Sequence, residues 1–168
     1  MKKLPIALGA AALALAASQA MAANMSPQDK EFATRAASSG MAEVSMGALA
    51  QRNANSAQVK QFGERMVTDH TKANAELKAV AQQQHLTLPN AIDPTDQAAE
   101  QRLSSTKGQA FDTAYMRNQV ADHQQDIALF RREAQSGQDP ALKNFAEKTL
   151  PILQEHLQLA EQAASSQK

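Results

Sequence analysis

The sequence predicts an all-α protein, a four-helix bundle made of two helical hairpins. Three observations carry that prediction. Ala, Gln, Glu, Lys and Leu dominate while aromatics make up only 4% of the chain, and the abundant residues are helix formers. Apolar residues recur at spacings of three and four over long stretches, and no β-branched run alternates with period two. Caps and breakers then divide the chain into segments of helical length.

Residues 1–22 stand apart from those segments. Lys2 and Lys3 precede an apolar run from Leu4 to Ala17, and Ala20-Met21-Ala22 is a small-x-small cleavage site. Together they read as a secretory signal peptide. The run is shorter than the roughly 20 residues a membrane-spanning helix needs. The expectation is cleavage after Ala22, leaving residues 23–168 as one helical-bundle domain, soluble in a periplasm and without a transmembrane segment. With Lys2 and Lys3 removed, 15 basic residues face 17 acidic ones. That balance argues against nucleic acid or an anionic membrane as partner. The chain has no cysteine, which excludes disulfides, thiol catalysis, zinc–thiolate sites, iron–sulfur clusters and covalently attached haem.

The first long helix opens at Ser26, a cap, with Pro27 in its first turn and Asp29 completing an acidic capping box. It runs to about Arg52, with Ser38-Ser39-Gly40 as a soft spot. Residues 53–56 form a turn, and Ser56 caps a second helix over 57–85. Two prolines break the stretch 87–96, and a short helix follows over 94–106. A third long helix covers 109–135 and stops at Gly137. Asp139 and Pro140 start the fourth, which ends near Ala164 before a fraying tail. The connection between the second and third long helices can span a helix of roughly 40 Å. An up-down-up-down bundle would not need that reach. A ferritin-like bundle, with a long middle crossover containing a short helix, would. The segments VKQFGER at 59–65 and LKNFAEK at 142–148 also suggest a distant internal repeat.

Histidines fall inside three apolar stripes. The second helix presents Val59, Phe62, Met66, His70, Ala73, Leu77 and Val80. The third presents Met116, Val120, His123, Ile127 and Phe130. The fourth presents Leu142, Phe145, Thr149, Ile152, His156, Leu159 and Ala163. On the first, Glu43 lies among Ala36, Ser39, Gly40, Met46, Gly47 and Ala50, small residues that allow close helix approach. At 1.5 Å per residue all four polar groups fall roughly 15 to 24 Å from a bundle end. Glu43, His70, His123 and His156 are therefore a candidate set of ligands for iron, zinc, copper or manganese. Asp69, Asp122 and Glu155 point about 100° away, towards helix–helix seams where carboxylates orient imidazoles. Asp126, three residues after His123, joins them. A lone inward histidine is more often a hydrogen-bonded core residue than a ligand, so a buried polar network is the competing reading.

AEVSMGALA, VKQFGERMVTDH, FDTAYMRNQVADH and LKNFAEKTLPILQEHL together resemble the bacterial domain-of-unknown-function family 4142, over about residues 27–162. The resemblance implies a ferritin-like bundle in proteins labelled as exported or membrane-associated, and no established activity. Against the di-iron ferritin pattern, which needs a Glu three residues before each histidine, this chain has Val67, Val120 and Leu153. A centre with bridging glutamates is thus not expected.

Other chemistry finds less support. No serine elbow or glycine-rich phosphate loop is present. Met66 and Met116 could serve a non-covalent haem but read as core filler. Tyr115 reads as a packing residue with its hydroxyl in water, and Arg131 and Arg132 beside Glu133 as a solvated face. Two functions follow. The first is a periplasmic metal-binding protein linked to metal or oxidant stress. The second is a non-enzymatic envelope or chaperone-like protein, partnered by an envelope protein or a second copy, whose core histidines fix helix register. Catalysis has no direct support in either.

Overall fold

A computed structural model describes residues 25–166, and the expected signal peptide lies outside them. Five helices follow one another: α1 (Pro27–Asn53), α2 (Ala57–Gln83), α3 (Pro94–Ser104), α4 (Gly108–Ser136) and α5 (Pro140–Ser165). Three of their starts are fixed by side-chain caps, while Ser56, expected to cap α2, precedes it without a side-chain cap bond. Ser26 Oγ accepts from the Asp29 amide at 3.1 Å, and Asp93 and Asp139 cap α3 and α5, each followed by a first-turn proline. Two ends differ from expectation. α2 stops at Gln83 because His85 takes φ +53, while the Leu86 amide bonds Ala81 O at 2.8 Å. This is the left-handed closure usually given to glycine, so a histidine there gave no stop signal. α3 ends at Ser104 rather than 106, as the Thr106 amide turns back to Leu103 O at 3.1 Å.

α1 pairs with α2 and α4 with α5, and the crossover climbs α1 between the two hairpins. Its ascent is marked by side-chain contacts. Ser38 Oγ accepts from the Asp93 amide at 2.8 Å, Ser45 Oγ donates to Glu100, and Asn53 Nδ2 donates to Thr106 O at 3.2 Å. α4 therefore begins beside the end of α1, which gives the ferritin-like order that the length of the connection implied.

The hairpins hold each other through two buried aspartates. Asp29, in the first turn of α1, accepts from the amides of Gln138 at 2.9 Å and Asp139 at 3.2 Å in the α4–α5 turn. Asp112 of α4 accepts from Asn55 at 3.0 Å and Ser56 at 2.8 Å in the α1–α2 turn. Asp29 and Asp112 stand as far apart in sequence as Phe62 and Phe145 do, and so do the amides they bind. The internal repeat is thus also one of tertiary contacts.

The core divides into two apolar halves. One contains Met46, Val59, Phe62, Met66, Phe111 and Tyr115; the other contains Phe32, Leu77, Phe130, Leu142, Phe145 and Leu153. On α5 the buried stripe runs through Thr149, Leu153, His156, Ala160 and Ala163, not through Ile152 and Leu159. Steps of three and four fit both choices. The structure takes the one that brings small Ala146 and Ala160 inward, and leaves Ile152 40% exposed. For the same reason of phase, Gln119 on α4 is fully buried and Val120 only partly. Ser39, expected in the inner stripe of α1, is also only partly buried.

Two further expectations are corrected. The Tyr115 hydroxyl does not reach water; it is buried without a hydrogen-bond partner, because Tyr115 stacks on Phe111 at 5.4 Å deep between helices. Glu133 is not part of a solvated face but fully buried, where Gln28 Nε2 donates to it at 3.2 Å. Burial pushes its carboxyl up to about 7, with Gln28 opposing and Asp29 adding to the rise. A carboxyl whose pKa rises on folding takes up a proton, so stability falls as pH climbs from about 4.5 to about 7 and stays lower above. Glu133→Gln is expected to raise stability at pH 8 by roughly 2 kcal/mol. Thermal melts should show that gain disappear at pH 4.

Candidate metal centre

Between the two apolar halves the bundle carries a layer of imidazoles. His70 comes from α2, His123 from α4 and His156 from α5, and the three are at most 6% exposed. Their ring centroids lie 5.8 Å apart for His70–His123, 5.5 Å for His70–His156 and 5.4 Å for His123–His156. One nitrogen from each lies within 4.8 Å of the others. Each ring arrives there by helical phase: His70 follows Met66 by one turn, and His156 follows Leu153.

The surroundings fix which nitrogens carry protons. His123 Nδ1 stands 3.0 Å from the carbonyl of Gln119, one turn back on α4. A carbonyl only accepts, so Nδ1 bears the hydrogen and Nε2 a lone pair. His156 Nε2 stands 2.8 Å from Asp69 Oδ2. Burial works against the Asp69 charge, but bonds from His156 and Arg65 outweigh it and hold the carboxyl below its ordinary value. Asp69 therefore accepts, Nε2 donates, and His156 Nδ1 keeps a lone pair. The two nitrogens left free face each other at 3.4 Å. His70 Nε2, also buried, has no partner.

Two lone pairs aimed at each other repel unless a cation lies between them. A proton is disfavoured there. Burial, then the charge of His156, depress His123 to about 3 against a small rise from the Gln119 carbonyl. Burial followed by the other two histidines holds His70 well below its ordinary value. His156 is also lowered, burial outweighing the pull of Asp69. All three are neutral at pH 7, the state that binds metal. Two nitrogens at about 2.0–2.1 Å from one tetrahedral ion stand roughly 3.3–3.4 Å apart, which is the separation found.

The carboxylates divide into two groups. Asp69 orients His156 and is itself held by Arg65 Nε at 3.2 Å. Arg65 continues to Glu155 at 2.8 Å, an exposed residue three contacts from the imidazole. Glu43 comes closest to the opposite side of the cluster, its Oε1 3.9 Å from His123 Nδ1. It lines a separate pocket with Asp122 and Asp126. Burial, then Asp126, push Glu43 well above its ordinary range; burial, then like charges, take Asp122 to about 7. Burial takes Asp126 to about 6, with the Ser39 bond opposing.

Sequence reasoning missed two contributors. Arg65 precedes Asp69 by one helical turn, a spacing that could have exposed the clamp. The Gln119 carbonyl is a backbone group and leaves no side-chain signal. Among the described residues no helix is long and apolar enough to cross a membrane.

The family model described as "Domain of unknown function (DUF4142)" matches residues 14–163. No curated protein matches. Two solved structures share the fold: a DUF305 fragment from Deinococcus radiodurans and a DUF305 protein from Streptomyces coelicolor. The first superposes with a TM-score of 0.74 at 12% identity, covering 84% of this chain and 98% of its own. The second does so at 0.71 and 13%, covering 83% and 92%.

Proposed function

We propose, from the premise that this chain belongs to the DUF4142 family of domains of unknown function, that it holds one transition-metal ion between His70, His123 and His156. The observation that carries the reading is the pair of facing lone-pair nitrogens on His123 and His156, each fixed in that tautomer by a partner on its other side. Three imidazoles suit zinc, copper, iron or nickel, and the affinity order of divalent ions places copper and zinc at its upper end. Manganese, a harder ion, fits less well. Three imidazoles leave one position of a tetrahedral ion without a protein ligand, and burial of the three rings at 6% exposure or less shields that position from solvent and from substrates. Holding the ion, rather than turnover, is therefore the role. The leader ending at Ala20-Met21-Ala22 supports export to the periplasm, where a protein of this kind would buffer metal during metal or oxidant stress.

Titration of chelator-stripped protein with Zn²⁺ or Cu²⁺ by calorimetry, on chain carrying no added histidines, tests the reading. One ion per chain is expected. Heats no larger than those of buffer would instead make the three histidines a structural layer. The orienting carboxylate gives a graded version. Asp69→Asn can present its amide to His156 and lose the tautomer, so affinity should fall about 10–100-fold with little change in fold. Unchanged affinity would show that Asp69 does not position the imidazole.

A further inference from the structure

A second polar feature lies outside the imidazole layer. Between α1, α3 and α4 a pocket of about 190 Å³ is lined by Glu43, Asp96, Asp122 and Asp126, with Ser39 and Arg35 at its sides. With Asp93 at the start of α3, five of the lining residues are acids and only Arg35 is basic. The acids arrive from three helices, so helical periodicity on one element does not explain their meeting.

The arrangement is not a solvated acidic face. Glu43 is 1% exposed and Asp126 8%. Glu43 Oε2 is buried with no hydrogen-bond partner, and so is Asp122 Oδ2. Asp126 has one bond, from Ser39 Oγ at 2.5 Å to its Oδ2. Buried polar atoms are nearly always paired, and a carboxyl oxygen left without a partner away from water is costly. Two such oxygens on the walls of one cavity mark a place where a positive ligand completes the bonding. The cavity is large enough for an ion together with some of its water. The donors are all oxygens, the chemistry of hard cations and not of the borderline ions that imidazoles prefer.

We infer that this pocket is a second cation site, in which Glu43, Asp122 and Asp126 hold a partly hydrated hard divalent ion such as Ca²⁺ or Mn²⁺. Glu43 then stands between two centres of different kind, with its carboxylate on the hard ion and its Oε1 3.9 Å from His123 Nδ1. The site does not depend on an ion at the histidines, since none of its donors is an imidazole.

Ca²⁺ separates this site from the histidines because imidazole is a poor ligand for it. Calorimetric titration of the chelator-stripped chain with CaCl₂ should show one ion per chain. In Asp122→Asn/Asp126→Asn the affinity should fall at least about tenfold. The same variant, with like charges removed, should melt at or above the unsubstituted protein in metal-free buffer, which confirms that it folds; Asp122→Asn alone provides the same comparison in a milder form. Mn²⁺, followed by loss of its free-ion paramagnetic signal, should give the same stoichiometry in a His70→Leu/His123→Leu/His156→Leu background. Absence of Ca²⁺ and Mn²⁺ binding up to millimolar concentration, or equal affinity in the folded Asn variants, would overturn the inference. Neither result would touch Zn²⁺ binding at the histidines, so the two sites can fail separately.

Discussion

Zn²⁺ at a hundredfold excess over its dissociation constant is expected to stabilise the protein by about 2.7 kcal/mol, roughly a 10 °C rise in melting temperature. In His70→Leu/His123→Leu/His156→Leu the rise should vanish. The baseline of that variant is the informative part. The three rings are buried in a layer between two apolar halves, and His70 Nε2 has no partner. Leucines of similar volume remove unpaired polar atoms, and such exchanges are often neutral or stabilising. The variant should therefore melt as high as the metal-free protein or higher, while failing to respond to Zn²⁺. A structural polar layer predicts the reverse: no response in either protein, and a lower melt once the contact of His156 with Asp69 is lost. Differential scanning calorimetry with and without Zn²⁺ separates the two.

Gly63→Val should be the most damaging single change in the α1–α2 hairpin. A β-carbon at Gly63 would stand 2.6 Å from the Ala50 β-carbon and 2.7 Å from the Gly47 carbonyl oxygen. Neither atom is the end of a flexible chain, so the helices themselves must separate. Valine adds two further methyls at that crossing. The expected cost is roughly 3 kcal/mol or more, a drop of about 10 °C in melting temperature. Because α1 and α2 carry Glu43 and His70, separating them also moves two walls of the sites. A melting temperature within a degree or two of the unsubstituted protein would show that the hairpin has slack the close approach does not suggest.

Much of this could be read from residue order. Cap chemistry at Ser26 and Asp139 placed two helix starts, Ser56 marked a third without forming a side-chain cap bond, and the length of the connection between α2 and α4 implied the crossover. The histidines were found because helical spacing puts His70, His123 and His156 on inner stripes at similar heights. What escaped were matters of phase and of distance along the chain. Steps of three and four could not choose between Ile152 and Leu153 on α5. The clamps from Asp29 and Asp112 join residues far apart in sequence, and nothing local announces them. Asp96 reaches the acidic pocket only because α3 lies along α1, a placement that composition does not encode. Glu43, grouped with the histidines by height alone, stands on the Nδ1 side of His123 beside the carboxylates of α4. Height along a helix was legible; the side of the ring it meets was not.

The most direct test is a long-range ¹⁵N–¹H spectrum of the imidazoles, recorded on metal-free protein at pH 7 and again after one equivalent of Zn²⁺. The expected result is His123 protonated at Nδ1 and His156 at Nε2, with His123 Nε2 and His156 Nδ1 as the nitrogens that shift when the ion arrives. A His123 ring protonated at Nε2, donating to His156 Nδ1 and unmoved by Zn²⁺, would make the 3.4 Å contact an ordinary hydrogen bond and contradict the metal centre.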